Sequence, residues 1–301
     1  MDKTSTLTNE MMVYYERVFL KRAKYQLVLK EGGQMRTQGQ NDGALIKFNR
    51  YTPFDPQDTA LTEGVNPPVS TITAATVSCI LAEYGLTIKM SKFLTLTSID
   101  VNNREKISLL GQNMGETLNR LVRNELENGT VYWAGGKVSS TIASSDTFSP
   151  SDMADVVTNL EDAKAMPYED GFFMGKINTH DKNKLIKSST WVNAKTYSDV
   201  KKLYQGEMGE LYQVRCLLNI DKKTSTGTGA TSSSVTVYHS YIHGSESFGC
   251  YDLEGDMPHL DIIVNKPDSG NPAARFSLAS WSGSYVSKIL NSAWIYVVKS
   301  A

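Results

Sequence analysis

The sequence predicts an α+β protein in which an extended two-stranded hairpin is mounted on one long helix. Three observations carry that expectation. Tyr84, Leu86, Ile88 and Met90 alternate strictly with Gly85, Thr87, Lys89 and Ser91, the period-two pattern of a strand with one buried face. From Arg104 to Asn128, Ile107, Leu110, Met114, Leu118, Leu121 and Leu126 recur at helical spacing and mark one face of a rod of roughly 35 Å. The second half of the chain breaks into strand-like runs at Tyr212–Leu218, Val235–Ile242, Leu260–Val264, Ala274–Trp281 and Ala293–Lys299.

Taken in order, the chain begins with a polar stretch over 1–9. Met12, Tyr15, Phe19, Ala23 and Leu27 then describe an amphipathic helix from Glu10 to Leu29, closed by Gly32-Gly33. Gln34–Gly43 reads as an unpatterned polar linker. Ala44–Tyr51 supplies the first hairpin strand, with Ile46 and Phe48 on one face and Lys47 and Asn49 on the other. Ser98-Ile99-Asp100 offers caps for the long helix, and Asn128-Gly129 ends it. Gly111 and Gly115, each costing about 1 kcal/mol against Ala inside a helix, mark either a close approach of backbone, as in a helix across a sheet, or tolerated variation. Gly135–Thr147 is a loop. Ser149-Pro150-Ser151-Asp152 starts a helix whose buried stripe is Met153, Val156, Val157 and Leu160. Thr179–Lys187 and Ser198–Tyr204 read as short helices after capping hydroxyls, and 222–234 as a flexible surface loop. Trp294, Tyr296 and Val298 alternate around Ile295 and Val297, apolar on both faces, so the last strand is expected to be central.

The hairpin is the unusual part. Strand character from Ile72 to Ser91 would span roughly 66 Å at about 3.3 Å per residue, against a radius of gyration of about 19 Å for a globule of this length. Some thirty residues, Thr52–Glu83, join its two strands, and they carry Phe54, Leu61, Val65, Val69, Ile72 and Val77. Such a composition argues against disorder. Those side chains are expected either to bury against another molecule or to fold back on the home domain.

Composition excludes several classes. The net charge of −1 leaves no global footprint for nucleic acid or membrane. The first fifty residues are locally basic, which fits a solvated helix face or an arm meeting an acidic partner. Cys79, Cys216 and Cys250 lack CxxC spacing, so free thiols are expected rather than a disulfide or zinc framework. No apolar run reaches the length of a membrane span, and the amino terminus lacks a signal-peptide core, so a cytoplasmic product is expected. No G-x-S-x-G or phosphate-binding loop occurs. His239 and His243 on one strand would lie about 13 Å apart, too far for one metal ion. The cluster Asp252, Glu254, Asp256, His259 and Asp261 reads as a solvated loop or, less simply, a cation site. Neither catalytic, metal nor cofactor residues are expected.

The same residues resemble a known family. Tyr14-Tyr15-Glu16 with Phe19-Leu20, Leu27-Val28-Leu29, Gly32-Gly33-Gln34, Ile46-Lys47-Phe48-Asn49-Arg50-Tyr51-Thr52-Pro53 and Leu61-Thr62-Glu63-Gly64-Val65 stand in the order seen in major capsid proteins of tailed double-stranded-DNA bacteriophages. More narrowly, they are similar to the subgroup of phages like the enterobacterial phage N-four. The resemblance continues through Tyr84-Gly85, Ser98-Ile99-Asp100, the long helix and Gly206-Glu207-Met208-Gly209, covering essentially the whole chain, densest over 10–128 and weaker from 220 to 270. It implies a Hong Kong 97-like capsid fold: an N-terminal arm (1–43), an extended loop (44–96), a spine helix with peripheral domain (97–148), an axial domain (149–266) and a return to the peripheral domain (267–301).

The resemblance further implies a shell protein that forms hexamers and pentamers with itself and encloses double-stranded DNA. Its other expected partners are a portal protein and, since no long segment precedes Glu10, a separate scaffolding protein; a decoration protein is a further option. The residues expected to touch neighbouring subunits are Arg50, Tyr51, Pro53, Phe54, Leu61, Glu63, Val65, Val69 and Ile72 of the loop, with Tyr15 and Phe19 of the arm. The rival readings are a hydrolase-like enzyme using the acidic and histidine residues of 239–261, and a ring or tube component of a virion.

Overall fold

The computed structural model describes residues 9–51, 54, 56–67, 69–92, 102–188, 191–193, 207–221, 223–228, 234–254, 256, 258–263 and 270–301. Ser98-Ile99-Asp100 and the helix expected over Ser198–Tyr204 lie outside them.

Helix α1 spans Asn9–Gln26 and is followed by strands β1 (Gln34–Gln38), β2 (Leu45–Tyr51), β3 (Ala74–Ile80) and β4 (Ala82–Ser91). The long helix α2 runs Asn102–Leu126, 25 residues, or about 37 Å. Strand β5 (Thr130–Trp133), α3 (Pro150–Asp162), β6 (Phe173–Asn178) and α4 (Thr179–Leu185) come next. The remainder is β7 (Val192–Asn193), β8 (Glu207–Leu211), β9 (Val214–Asn219), β10 (Thr224–Thr228), β11 (Ser234–His243), β12 (Phe248–Leu253), β13 (His259–Ile263), β14 (Phe276–Ile289) and β15 (Ile295–Ser300). Among the described residues no helix is long and apolar enough to cross a membrane.

Among the described residues the strands form three sheets. In the five-stranded sheet, β14 is the axle. Trp281 pairs with both Leu86 and Leu260, and Tyr285 with both Ala82 and Asp252. Strand β4 therefore follows one edge of β14, while β13 and β12 follow the other. Helix α2 crosses this sheet with Ile107, Leu110, Met114, Leu118, Val122 and Leu126 buried against Met90, Ala279, Trp281 and Tyr285. The Trp281 indole donates to Asn113 Oδ1 at 3.1 Å, which fixes the crossing. Each such fully buried aliphatic side chain contributes about 1.5–3 kcal/mol.

The eight-stranded sheet runs β5-β15-β11-β6-β9-β8-β7, with β10 also on β11. Its last strand in sequence, β15, is interior, as the two-faced apolar pattern requires. Helix α3 packs Met153, Val156, Val157 and Leu160 on it with Phe173, Ile177 and Val214. Ser149 caps α3 in a complete capping box with Asp152. One buried carboxylate knits the sheet. Asp181 accepts from Asn178 Nδ2 (2.6 Å), Ser240 Oγ (2.7 Å) and Ser300 Oγ (2.6 Å), tying β6, β11 and β15 together. Burial pushes the Asp181 carboxyl above its ordinary value, and the donated hydrogen bonds offset that in part.

Several expectations need correction. Gln34–Gly43 is not wholly a linker, because Gln34–Gln38 pairs parallel with Gly249–Leu253. An edge strand needs only its backbone, so its polar side chains concealed it. Thr224–Thr228 pairs antiparallel with β11 for the same reason, inside the stretch expected to be a loop. Helix α1 stops at Gln26, and Val28 and Leu29 enter the core as coil. Gly111 does mark a close approach, but of a helix: a Cβ there would strike the Phe19 backbone of α1. Helix α4 is capped by the Asn178 amide rather than a hydroxyl, while His180 stacks on Tyr238 at 4.2 Å.

Candidate inter-subunit surface

The third sheet is the hairpin β2–β3, seven antiparallel pairs from Leu45↔Ile80 to Tyr51↔Ala74. Strict alternation puts Ile46 and Phe48 on one face. That face is seated on the body with Cys79 and Tyr251, flanked by Val77, Leu81, Val286 and Leu290. The Phe48 ring meets Tyr251 edge-on, centroids 4.8 Å apart, and Gly249 leaves room for it, since a Cβ there would overlap the ring. The Leu81 amide closes the root by donating to Ala44 O at 3.0 Å. The return segment is thus divided. Ala74–Ile80 pairs only within the hairpin, whereas Ala82–Ser91 makes ten pairs with β14 and belongs to the body.

Beyond Tyr51↔Ala74 the chain leaves the body's cover. Tyr51, Phe54, Leu61, Val65 and Ile72 are all more than half exposed, and Val69 is 95% exposed. Arg50 and Glu63 are exposed beside them. Gly64, at φ +81°, turns the chain there, and the Val65 amide donates to Thr62 O. Folding back on the home domain does not occur at these residues. Pro53 lies outside the described residues. The two arm residues behave differently: Tyr15 is half-buried, and Phe19 is 1% exposed in the core against α2. Phe19 therefore has no surface to offer a neighbour; its place in the stripe that seats α1 on α2 explains why.

Sequence reasoning missed a second apolar feature at the hairpin root. Leu45 and Ile80 face each other across the ladder on the side opposite Ile46 and are 52% and 67% exposed. With Cys79, Glu125, Val286 and Lys288 they line an open groove of about 390 Å³. The Lys288–Glu125 ion pair, 2.8 Å, lies in it. Burial pushes the Cys79 thiol above its ordinary value, opposed by the nearby Lys288 charge. The signal was present: Leu45 and Ile80 are apolar but out of phase with Ile46, which marks a strand pair apolar on both faces.

The residues considered for chemistry do not converge. His243 meets the Tyr168 hydroxyl at 3.1 Å, His259 pairs with exposed Asp261 at 3.1 Å, and Asp256 accepts from Ser284. Among the described residues no group of three or more His, Cys, Asp or Glu could hold a metal ion. His239 Nδ1 lies 2.8 Å from both Glu127 oxygens and its Nε2 2.8 Å from Ser225 Oγ, with the Tyr241 hydroxyl donating to the same carboxylate. These are the contacts of a serine–histidine–carboxylate relay. Ser225, however, sits within a regular ladder opposite Val237, not on a sharp turn beside converging N–H donors. What the cluster does is tie the end of α2 to β10 and β11.

No protein-family model matches the sequence, and no curated protein does. Solved structures match over nearly the whole chain. The capsid of Ralstonia phage GP4 superposes with a TM-score of 0.75 at 10% identity, covering 100% of this chain and 94% of that one. The chain has the Hong Kong 97-like capsid fold. The capsid of cyanophage P-SCSP1u shares that fold at a TM-score of 0.63 and 11% identity, over 91% of this chain and 88% of its own. The capsid of cyanophage Pam1 does so at 0.62 and 13%, over 100% and 96%.

Proposed function

We propose that this chain is the major capsid protein of a tailed double-stranded-DNA bacteriophage, a non-enzymatic structural protein of the virion shell. The observation that carries the reading is the full-length likeness to phage capsid structures, combined with an apolar loop that its own body leaves uncovered. In that reading the chain forms hexamers and pentamers. Tyr51, Phe54, Leu61, Val65, Val69 and Ile72, with Arg50, Pro53 and Glu63, clasp an adjacent subunit. Tyr15 contributes from the arm. The order of the quoted motifs supports the narrower placement among phages similar to N-four.

The division into arm (1–43), extended loop (44–96), spine and peripheral domain (97–148), axial domain (149–266) and peripheral return (267–301) belongs to this proposal. The β4–β14 ladder favours assigning Ala82 onward to the peripheral sheet rather than to the loop. A scaffolding protein, a portal and packaged DNA are the partners such a shell requires, with a decoration protein as a further option. Near-zero net charge favours dense packing of many copies. Co-expression with neighbouring phage genes, followed by electron microscopy and sedimentation, tests the reading. Closed icosahedral shells are expected. Rings or tubes would replace it with a different virion component, and a permanent monomer would overturn it.

A further inference from the structure

The groove at the hairpin root has two strand walls, and among the described residues each wall is paired on one side only. Strand β4 leaves β14 at Ala82↔Tyr285, so from Val286 to Ile289 β14 keeps β12 as its single partner. Strand β3 pairs with β2 alone. Between these open edges lie Leu45, Cys79, Ile80 and Val286, and the volume of about 390 Å³ falls within the roughly 300–1,000 Å³ of ordinary recognition sites. One cation stands among the aliphatic side chains. Lys288, its side chain 37% exposed, gives one N–H to Glu125 Oε1 at 2.8 Å, and an ammonium has three. The Ile289 amide also donates to Glu125, at 3.3 Å. The carboxylate is thus fixed to the wall, while the ammonium keeps donors for a second acceptor.

The complementary surface is on the same chain and is held away from its own groove. Leu61, Glu63 and Val65 are exposed on a turn already formed: the Val65 amide donates to Thr62 O at 3.1 Å, and Gly64 takes φ +81°. The turn offers a carboxylate between two aliphatic side chains, and the groove offers an ammonium among aliphatic side chains. The loop that carries the turn leaves the ladder at Tyr51↔Ala74, six positions from Leu45↔Ile80, or about 20 Å at about 3.4 Å per residue. In its own subunit the turn is exposed rather than seated in the groove.

We propose that the groove at the hairpin root receives the Leu61–Val65 turn of a second copy, with Leu61 and Val65 buried against Leu45, Ile80 and Val286 and Glu63 paired to Lys288. This rests on the shell reading and names the surface that the loop covers. The contact is heterologous, the tip of one copy meeting the root of the next. Every open chain of copies therefore ends in one free turn and one free groove, and the contact is complete only when a ring closes.

Cross-linking of the full chain tests it. Val65→Cys and Ile80→Cys are combined, the chain is co-expressed with neighbouring phage genes, and the product is oxidised after assembly. Both positions are exposed, so the fold is expected to survive. A non-reducing gel should show a ladder from dimer upward, with peptide mapping joining position 65 of one copy to position 80 or Cys79 of another. Val65→Cys with Val138→Cys, the latter exposed and not part of the groove, should give no ladder. Glu63→Lys added to the first pair sets like charges together and should cut the ladder about tenfold or more. Shells without the ladder, or a ladder that Glu63→Lys leaves intact, would overturn the groove and leave the shell reading standing. Links from position 80 to position 80 would make the groove a two-fold interface and overturn the proposal. A permanent monomer would overturn both readings.

Discussion

The distal hairpin and the eight-stranded sheet sort their side chains in opposite ways. The hairpin holds apolar groups in the open, from Tyr51 to Val69. The sheet buries charged and polar groups, Asp181, Asn178, Ser240, Lys176 and Arg215, and supplies most of them with partners from its own strands. A region that satisfies most of its own polar groups holds its stability within itself. A region that exposes its apolar ones is completed by another surface. Under the proposed shell reading, stability and association would be carried by separate parts of one chain, and mutations should separate them.

The largest effect is expected from replacing residues 52–73 by an Asn-Gly turn. Tyr51 and Ala74 are already a cross-strand pair, so the shortened hairpin can still close. Micrographs should show no shells, with far-UV circular dichroism unchanged; normal shells would break the comparison. Leu160→Ala acts on the other side. It should lower stability by about 2–5 kcal/mol in denaturant unfolding, because Leu160 is fully buried on the sheet-facing side of α3. Gly111→Val should undock α1 from α2 at about 1–3 kcal/mol, read as lost exchange protection of 9–26.

Glu127→Gln tests the tie between α2 and the sheet. Burial alone would raise this carboxyl, but hydrogen bonds from His239 and Tyr241 and the charges of His239 and Lys299 outweigh it, and it ends below the ordinary value. A depressed carboxylate stabilises the fold above its unfolded pKa and loses that contribution as pH falls through its folded value. The variant should therefore be less stable by about 1–3 kcal/mol at neutral pH, and the gap should shrink on acidification below about pH 4.5. A gap that is constant with pH would rule out the ionised carboxylate as its source. The smallest change in stability, under about 0.5 kcal/mol, is expected for Val69→Ser, with shell yield as the sensitive readout.

What was legible in the sequence follows the same division. The hairpin, α2 and α3 declared themselves because each has one buried face, and one buried face produces a period. Strand β6 was missed because all its residues are buried, so Phe-Met-Gly-Lys-Ile-Asn has no alternation, and Lys176 and Asn178 disguise it as surface. Strands β1 and β10 were missed for the reverse reason: as edges they bond through the backbone, leaving Gln34–Gln38 and Thr224–Thr228 polar. The apolar residues of the distal hairpin are exposed in the chain itself, as their lack of a packing period suggests. Phe19 was misjudged as a contact because a helix stripe does not say which helix it meets.

Strand β15 sets a schedule for synthesis. It lies between β5 and β11, and β5 reaches the sheet only through it; the Thr130–Ser292 hydrogen bond alone spans 162 positions. Sheet closure must wait until residues 295–300 have left the ribosome, which makes it a slow, late event. A polypeptide released early would expose the flanks of β5 and β11 and be a substrate for proteases.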